Sequence, residues 1–189
     1  MPMQRHLWLG ALWLAAAHVF AQPLRPKEDA TAEIAQQAIA AYRKGDISGA
    51  IVLATKLTEA APKQPQGWFL RAQLHVTQRE HAKAVADYTE VIKLDPKSAN
   101  AVQARGEANF KLGKIAESIA DFDKFLELVP AQRPHHWQRG ISLYYAGRFK
   151  DGKEQFEIHQ TVNSNDVRSE EHTSELQSQS TISYAVFCL

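Results

Sequence analysis

A sequence segment of 26 residues recurs along the chain at a fixed spacing. It reads RAQLHVTQREHAKAVADYTEVIKLDP in Arg71–Pro96 and RGEANFKLGKIAESIADFDKFLELVP in Arg105–Pro130. The two copies align without a gap at an offset of 34 residues, and the same offset leads back to Pro62 and forward to Gly140 and Gly147. A fixed repeat of this length predicts an array of similar units, each packed only against its neighbours.

Each unit reads as a pair of helices. In the first unit, apolar residues recur at helical spacing through Thr31–Lys44 and Ile47–Ala60, and Gly45 and Pro62 interrupt the pattern. The other predicted pairs are Gln66–Thr77 with His81–Leu94, Ala99–Leu112 with Ile115–Val129, and Pro134–Ala146 with Phe149–Val162. Because no strand pattern is present, the sequence predicts an all-α solenoid of four repeats, 31–64, 65–98, 99–132 and 133–166.

Three columns of equivalent residues indicate how the hairpins pack. Small side chains let two helix backbones approach closely, and they occupy two of the columns: Ala38, Ala72, Gly106 and Gly140 in one, and Ala50, Ala84, Ser118 and Gly152 in the other. The third column contains Tyr88, Phe122 and Phe156, with the smaller Ala54 in the first repeat. We expect these rings to fill the space between successive hairpins.

These columns resemble the tetratricopeptide repeat (TPR) family over about residues 31–165. The resemblance implies a right-handed superhelix whose first helices line a concave groove, and a groove that holds a peptide or helix of a partner protein. The segment His136–Arg148 is similar to the last repeat of exported bacterial TPR proteins, including NlpI-type lipoproteins. That likeness implies a periplasmic adaptor that brings other proteins together.

The groove stripe that this geometry implies mixes aromatic rings with amides and single charges. Its predicted ligand-binding residues are Phe69, Gln73, Gln103, Glu107, Lys111, Trp137, Ile141, Tyr144 and Tyr145, and Tyr42, Arg43, Thr77 and Phe110 share the stripe. Rings supply contact area and amides satisfy backbone groups, which suits a peptide-binding surface. The alternative is packing between repeats; it is left open for Tyr42 and Phe110, whereas the groove is favoured for Phe69, Trp137 and Tyr145.

Arginine also recurs at the repeat period. Arg71, Arg105 and Arg139 would either present guanidinium groups to an acidic ligand or pair with an acid of the adjacent helix, and we favour the structural pairing. The carboxylates of the sixth predicted helix read as a solvated face: Glu117, Asp121, Asp123 and Glu127.

The histidines do not have the spacing of metal ligands. His135 and His136 are expected at the surface or as helix caps, and His75 and His81 at helix surfaces or between helices. We therefore predict no metal site. Because the sequence also has no Gly-rich phosphate loop after a strand and no pair of acids expected to converge in a pocket, we predict no cofactor and no catalytic site.

The first 21 residues predict a cleaved secretory signal, in which a short basic start precedes the apolar run Leu7–Ala21. Val19 and Ala21 suit the −3 and −1 positions of cleavage after Ala21. The alternative, an uncleaved anchor, would need roughly 20 apolar residues. No cysteine follows Ala21 for lipid attachment. The mature chain is therefore expected to be periplasmic or secreted without a membrane span, and the proline-containing stretch 22–30 is expected to be a flexible leader.

The other end of the chain does not follow the repeat. Residues 168–178, RSEEHTSELQS, resemble the translation of a common sequencing-library adapter, so 168–189 is predicted to be a non-native disordered tail in which Cys188 has no functional role. Because solenoids need a solvating cap, we expect part of the last helix's apolar face to be uncovered: Phe149, Phe156, His159 and Val162.

Composition narrows the class of function. A formal net charge of +1 gives no field that would favour nucleic acid, and the single cysteine excludes a disulfide framework. We predict a non-catalytic adaptor that binds a peptide or helix of another protein and takes no small-molecule substrate. The alternatives are a structural, self-assembling subunit of a cell-envelope complex, and an enzyme, which would require acids or histidines converging in a pocket.

Overall fold

The computed structural model describes residues 26–163, and every regular element in this range is helical. Eight α-helices occur there: α1 (Pro26–Arg43), α2 (Ile47–Ala60), α3 (Pro65–Thr77), α4 (His81–Leu94), α5 (Ala99–Lys111), α6 (Ile115–Leu128), α7 (Trp137–Tyr145) and α8 (Phe149–Gln160). A short 3-10 helix, Pro130–His135, connects α6 to α7. The predicted signal peptide, its cleavage site and the predicted tail 168–189 lie outside the described residues.

The helices pack as successive hairpins. α1 pairs with α2, α3 with α4, α5 with α6 and α7 with α8, while each second helix also packs against the first helix of the following hairpin. This nearest-neighbour pattern confirms the predicted all-α solenoid. No helix among residues 26–163 is long and apolar enough to cross a bilayer.

The columns of small and aromatic residues are buried, but the rings expected between successive hairpins also pack inside their own hairpin. Every member of the two small-residue columns is buried. A methyl carbon added to Gly106 would lie 2.8 Å from the ring of Phe122, and one added to Gly140 would lie 2.9 Å from the ring of Phe156. An aromatic ring of the paired helix therefore lies directly on the backbone, and a side chain at either glycine would force that ring to shift.

The first helix begins earlier than the sequence indicates. Residues 26–30 were expected to belong to a flexible leader, but they form the first turn of α1. Proline is compatible with a first helical turn because its missing N–H has no helical partner there and its φ angle is already close to the helical value. Pro26 thus opens the helix instead of interrupting it.

The last hairpin also departs from the prediction. Its first helix begins at Trp137, not at Pro134, because residues 130–135 form the 3-10 helix instead. The side chain of His136 accepts a hydrogen bond from the backbone N–H of Arg139 at 3.3 Å and so caps α7. Its second helix ends at Gln160, two residues before the predicted Val162.

The outer face of α8 is better covered than expected. Phe156 and His159 are both buried, and His159 Nδ1 lies 2.8 Å from the carbonyl oxygen of Pro134. The side-chain amide of Gln155 donates to the carbonyl of Arg133 at 2.8 Å. The 3-10 helix therefore covers part of α8, and of the four residues expected to be uncovered only Val162 is exposed, by 46%.

One column sits at the turn inside each hairpin and adopts positive φ angles. Gly45, Gly113 and Gly147 have φ of 82°, 73° and 73°, and the second repeat places Arg79 there with φ of 60°. A left-handed conformation costs a non-glycine residue roughly 1–2 kcal/mol. The backbone at Arg79 in the second repeat is therefore strained, whereas the three equivalent glycines adopt the same conformation without strain.

Replacing Arg79 with glycine is expected to raise the free energy of unfolding by about 0.5–1 kcal/mol, since the relief of strain exceeds the greater unfolded-state entropy of glycine. Chemical denaturation measures the change. The matched control is Gly113→Ala, which introduces the same strain into the next repeat and is expected to lower stability by about 1 kcal/mol. A loss of stability in both variants would contradict this account of the turn.

Candidate functional site

A first depression of about 360 Å³ opens between α3 and the start of α5. Two predicted groove residues, Phe69 and Gln73, line it, together with Pro65, Gln66, Leu70, Val91, Asp95, Ser98 and Asn100. The ring of Phe69 meets the buried ring of Tyr88 edge to face, with centroids 5.6 Å apart. Phe69 thus contacts the core through Tyr88 and also faces the groove, so both interpretations of this residue hold.

A second depression of about 290 Å³ lies between α5 and α7. Four predicted groove residues line it: Glu107, Lys111, Trp137 and Ile141. Phe110, Gln138 and the buried Phe122 complete the lining. This depression is more aromatic than the first, and Trp137 leaves 38% of its surface exposed.

Aromatic rings continue from the second depression to the end of α7. Tyr145, which is 65% exposed, meets Phe110 edge to face at 5.5 Å and Tyr144 at 5.7 Å. Tyr144 in turn contacts Phe149 of α8 at 5.5 Å. Phe110 therefore belongs both to the packing between repeats and to the depression, and Tyr144 and Tyr145 lie beside the depression without lining it.

The exposed face of α5 also carries polar side chains, some of which line the second depression. Gln103 lines neither of them, and its amide donates to the carboxylate of Glu107 at 3.2 Å. Glu107 and Lys111 are one helical turn apart, yet they form no ion pair with each other or with any other residue that the structure describes.

The buried tyrosine beneath Phe69 stays neutral. Burial and, secondarily, the charge of Glu107 raise the pKa of Tyr88 to about 12.

Several residues that line the first depression lie outside the predicted stripe. Gln66 and Asn100 are equivalent positions one repeat apart, and both line the first depression. They lie one helical turn before Phe69 and Gln103, so extending the stripe by a turn towards the start of each first helix would have found them.

The recurring arginines pair with acids of adjacent helices, which is the alternative that the sequence favours over presentation to a ligand. Arg71 forms a bidentate pair with Asp87, with contacts of 2.7 and 2.8 Å, and Arg105 forms one with Asp121 at 2.6 and 3.0 Å. Each acid lies on the second helix of the same hairpin. These guanidinium groups hold hairpins together and are not presented to a ligand.

The expectation that Asp121 belongs to a solvated face was wrong. Only 5% of its surface is exposed, because Arg105 and Asn109 both donate to its carboxylate. The fourth repeat has Gln155 in this column, and Arg139 instead donates to Asp123 of the preceding hairpin at 2.6 Å. Hydrophobic periodicity treats every carboxylate as a surface residue, and so it misses a buried carboxylate that a half-buried arginine neutralises.

The expected surface position of His136 was also wrong, although its expected capping role is confirmed. The ring is only 3% exposed and packs against Phe122 and Phe125, with centroids 4.6 and 5.2 Å away. Burial lowers the pKa of His136 to about 4. His75 is buried too, with its Nδ1 2.7 Å from Glu80 Oε2, which confirms its predicted position between helices.

Neither metal nor acid–base chemistry gains support from this geometry. Within residues 26–163, no group of three or more histidine, cysteine, aspartate or glutamate side chains is arranged to hold a metal ion. The buried carboxylates that are described above are neutralised by arginine. The concave face instead presents two adjacent depressions with exposed aromatic rings, side-chain amides and the unpaired charges of Glu107 and Lys111.

Comparison with known proteins agrees with this architecture. A family model described as "Tetratricopeptide repeat" matches residues 36–99 and again 70–133, which together make up more than half of the chain. Superkiller complex protein 3 of Mus musculus is 25% identical over 115 residues, a segment that spans 60% of this chain but only 7% of the mouse protein.

Two solved structures share the fold at low sequence identity. The crystal structure of MamA protein superposes with a TM-score of 0.75 at 18% identity, covering 79% of this chain and 82% of MamA. YrrB, described as a TPR protein with an unusual peptide-binding site, superposes with a TM-score of 0.72 at 12% identity, covering 83% and 84% of the two chains. From its repeats, its hairpins and these matches, the chain belongs to the tetratricopeptide repeat family.

Proposed function

We propose that the concave face formed by α3, α5 and α7 binds an extended peptide or a helix of a partner protein. The observation that carries this proposal is the placement of two depressions on successive first helices, lined by six of the nine groove residues that the family resemblance predicts. TPR folds are typically non-catalytic scaffolds for protein interaction, and the description of YrrB, a structural neighbour, names a peptide-binding site.

The two depressions suit different parts of one bound segment. The first presents the amides of Gln66, Gln73 and Asn100, which both donate and accept and can therefore satisfy the backbone of an extended chain. The second presents Phe110, Trp137 and Ile141, which suit a bulky apolar side chain. We infer that the partner contributes backbone contacts at the first depression and an anchoring side chain at the second.

We further propose that the protein is an exported adaptor. Export rests on the predicted signal in residues 1–21, and the adaptor role rests on a groove without catalytic groups. The competing proposal is self-assembly through the last hairpin, and it draws less support because α8 already buries Phe156 and His159. Light scattering of the purified protein separates the two, since a stable monomer favours the adaptor.

Replacing Trp137 with alanine is expected to weaken binding of a groove ligand by about 30-fold, because an exposed tryptophan in an apolar depression is a typical binding hot spot worth roughly 2 kcal/mol. Peptides are first selected on the wild-type protein from a displayed random library. Their dissociation constants for wild type and variant are then measured by isothermal titration calorimetry.

The control for this measurement is Val52→Ala. Val52 is exposed on α2 and lines neither depression, so its removal is expected to change the dissociation constant less than twofold. Circular dichroism establishes that both variants remain folded. Equal dissociation constants for the wild type and Trp137→Ala would remove the groove from consideration.

A further inference from the structure

The turns inside the four hairpins carry the same balance of charge. We define the turn edge as residues 43–49, 77–83, 111–117 and 145–151, each window extending from two residues before the positive-φ position to four after it. Every window contains two cations and one carboxylate, so the edge holds eight cations against four carboxylates. The whole chain has a net charge of only +1, and positive charge is thus concentrated on this edge.

The carboxylates of the turn edge leave most of its cations unpaired. Glu80 binds Lys83 at 2.7 Å and Asp151 binds Arg148 at 2.6 Å, while Asp46 accepts from the backbone N–H of Gly49 at 2.8 Å and caps α2. Six other cations of the edge are exposed and have no ion-pair partner among residues 26–163: Arg43, Lys44, Arg79, Lys111, Lys114 and Lys150.

Exposed apolar side chains accompany these cations. The part of the chain that the structure describes has eight large, exposed apolar residues, and four of them lie in a turn window or directly beside one. There is one at each turn: Tyr42, Val76, Leu112 and Tyr145. The turn edge therefore combines unpaired positive charge with apolar contact area in all four repeats.

The strained residue of the solenoid belongs to the same edge. Arg79 holds a left-handed conformation that the equivalent glycines adopt without strain. The strain brings the Arg79 side chain no ion pair among the described residues, and this side chain is exposed. Arg79 supplies a second cation in a turn where Lys83 is already paired with Glu80. Strained backbone of this kind is concentrated at functional surfaces.

We propose that the turn edge is a second interaction surface, which binds an acidic protein segment with interspersed apolar residues. Charge complementarity favours an acidic partner, and the apolar residue at each turn favours one with apolar side chains. The carboxylate in each window would repel a phosphate backbone or an anionic headgroup four times over, whereas a protein segment can match the alternation with its own charges. The proposal goes beyond the groove: the edge shares Lys111 with the second depression, but its other five unpaired cations line neither depression.

The test uses a fluorescein-labelled synthetic peptide of repeated Glu-Glu-Leu-Ser, with binding to the purified protein followed by fluorescence anisotropy. The edge variant combines Lys44→Glu, Lys114→Glu and Lys150→Glu. The control variant combines Lys56→Glu, Lys63→Glu and Lys97→Glu, three lysines that are also exposed but lie outside the turn edge, so both variants undergo the same change of net charge. Circular dichroism verifies the fold of each variant.

We expect the edge variant to bind the peptide at least tenfold more weakly than wild type, and the control variant to remain within about fourfold. Trp137→Ala is expected to leave this affinity within twofold, so a failure of the groove proposal would be recognised separately. Absence of binding, or equal weakening in the two lysine variants, overturns the proposal. Tighter edge-dependent binding to phosphatidylglycerol vesicles or to a single-stranded DNA oligonucleotide also overturns it, and assigns the edge to lipid or nucleic acid instead.

Discussion

Replacing Asp121 with alanine is expected to lower the free energy of unfolding by roughly 3–5 kcal/mol, because it leaves a partly buried guanidinium without its counterion. The Asp121 carboxylate accepts from Arg105 Nε at 3.0 Å, from Arg105 Nη2 at 2.6 Å and from Asn109 Nδ2 at 3.1 Å. Without these acceptors, the charged group and the amide lose hydrogen bonds at a site from which water is largely excluded. Urea denaturation followed by circular dichroism measures the change.

Asp123→Ala is the matched control for Asp121→Ala. It makes the same chemical change on the same helix, but the Asp123 side chain is 45% exposed, and Arg139 retains a contact to Gln155 at 3.3 Å when Asp123 is removed. Arg139 is itself only 14% exposed, so the expected cost is about 1–2 kcal/mol, still well below that of Asp121→Ala because an acceptor remains. Similar losses for the two variants would mean that burial of the arginine–aspartate pair does not determine its contribution to stability.

Acidification from pH 6.5 to pH 4 is expected to destabilise the protein by roughly 3 kcal/mol through His136 alone. Burial lowers the pKa of this imidazole to about 4 in the folded protein, against about 6.5 in the unfolded chain. Between these two values the unfolded chain binds a proton that the folded protein does not. The stabilisation is therefore complete above pH 6.5, is lost as the pH falls, and does not change further below pH 4.

The comparison that isolates His136 is His136→Asn. Asparagine retains a side-chain oxygen able to cap α7 but does not titrate in this range. Urea denaturation at several pH values gives the dependence of stability on pH for each protein, and the expected result is a steeper decline for wild type between pH 6.5 and pH 4. Parallel curves would show that the imidazole is protonated in the folded state as readily as in the unfolded chain.

The repeat register could be predicted because it is a property of spacing alone. Gly106 and Phe122 recur 34 residues later as Gly140 and Phe156, and in a stacked array equivalent residues make equivalent contacts. The first residues of the helices were harder to predict, because a proline can either open an α-helix or lie outside one. Pro26 opens a helix, whereas Pro134 lies in a 3-10 turn, and the choice depends on how neighbouring segments satisfy the backbone.

The side chains of the groove could be assigned to a face, but their grouping could not be predicted. Phe69 and Trp137 follow the stripe that the repeat period defines, yet they belong to separate depressions. Glu107 and Lys111 sit one turn apart on α5 and line only the second depression. This division depends on the packing of α5 against its neighbours, which a periodic pattern does not contain.

The central claim is that a partner segment lies across α3, α5 and α7, and chemical-shift mapping tests it most directly. Backbone amide spectra of isotope-labelled protein are recorded with and without a peptide selected on the wild-type protein. The account predicts that the largest shifts fall on residues around Gln73, Glu107 and Ile141, with small shifts on the outer surfaces of α2, α4 and α6. Shifts confined to those second helices or to the end of α8 would contradict it.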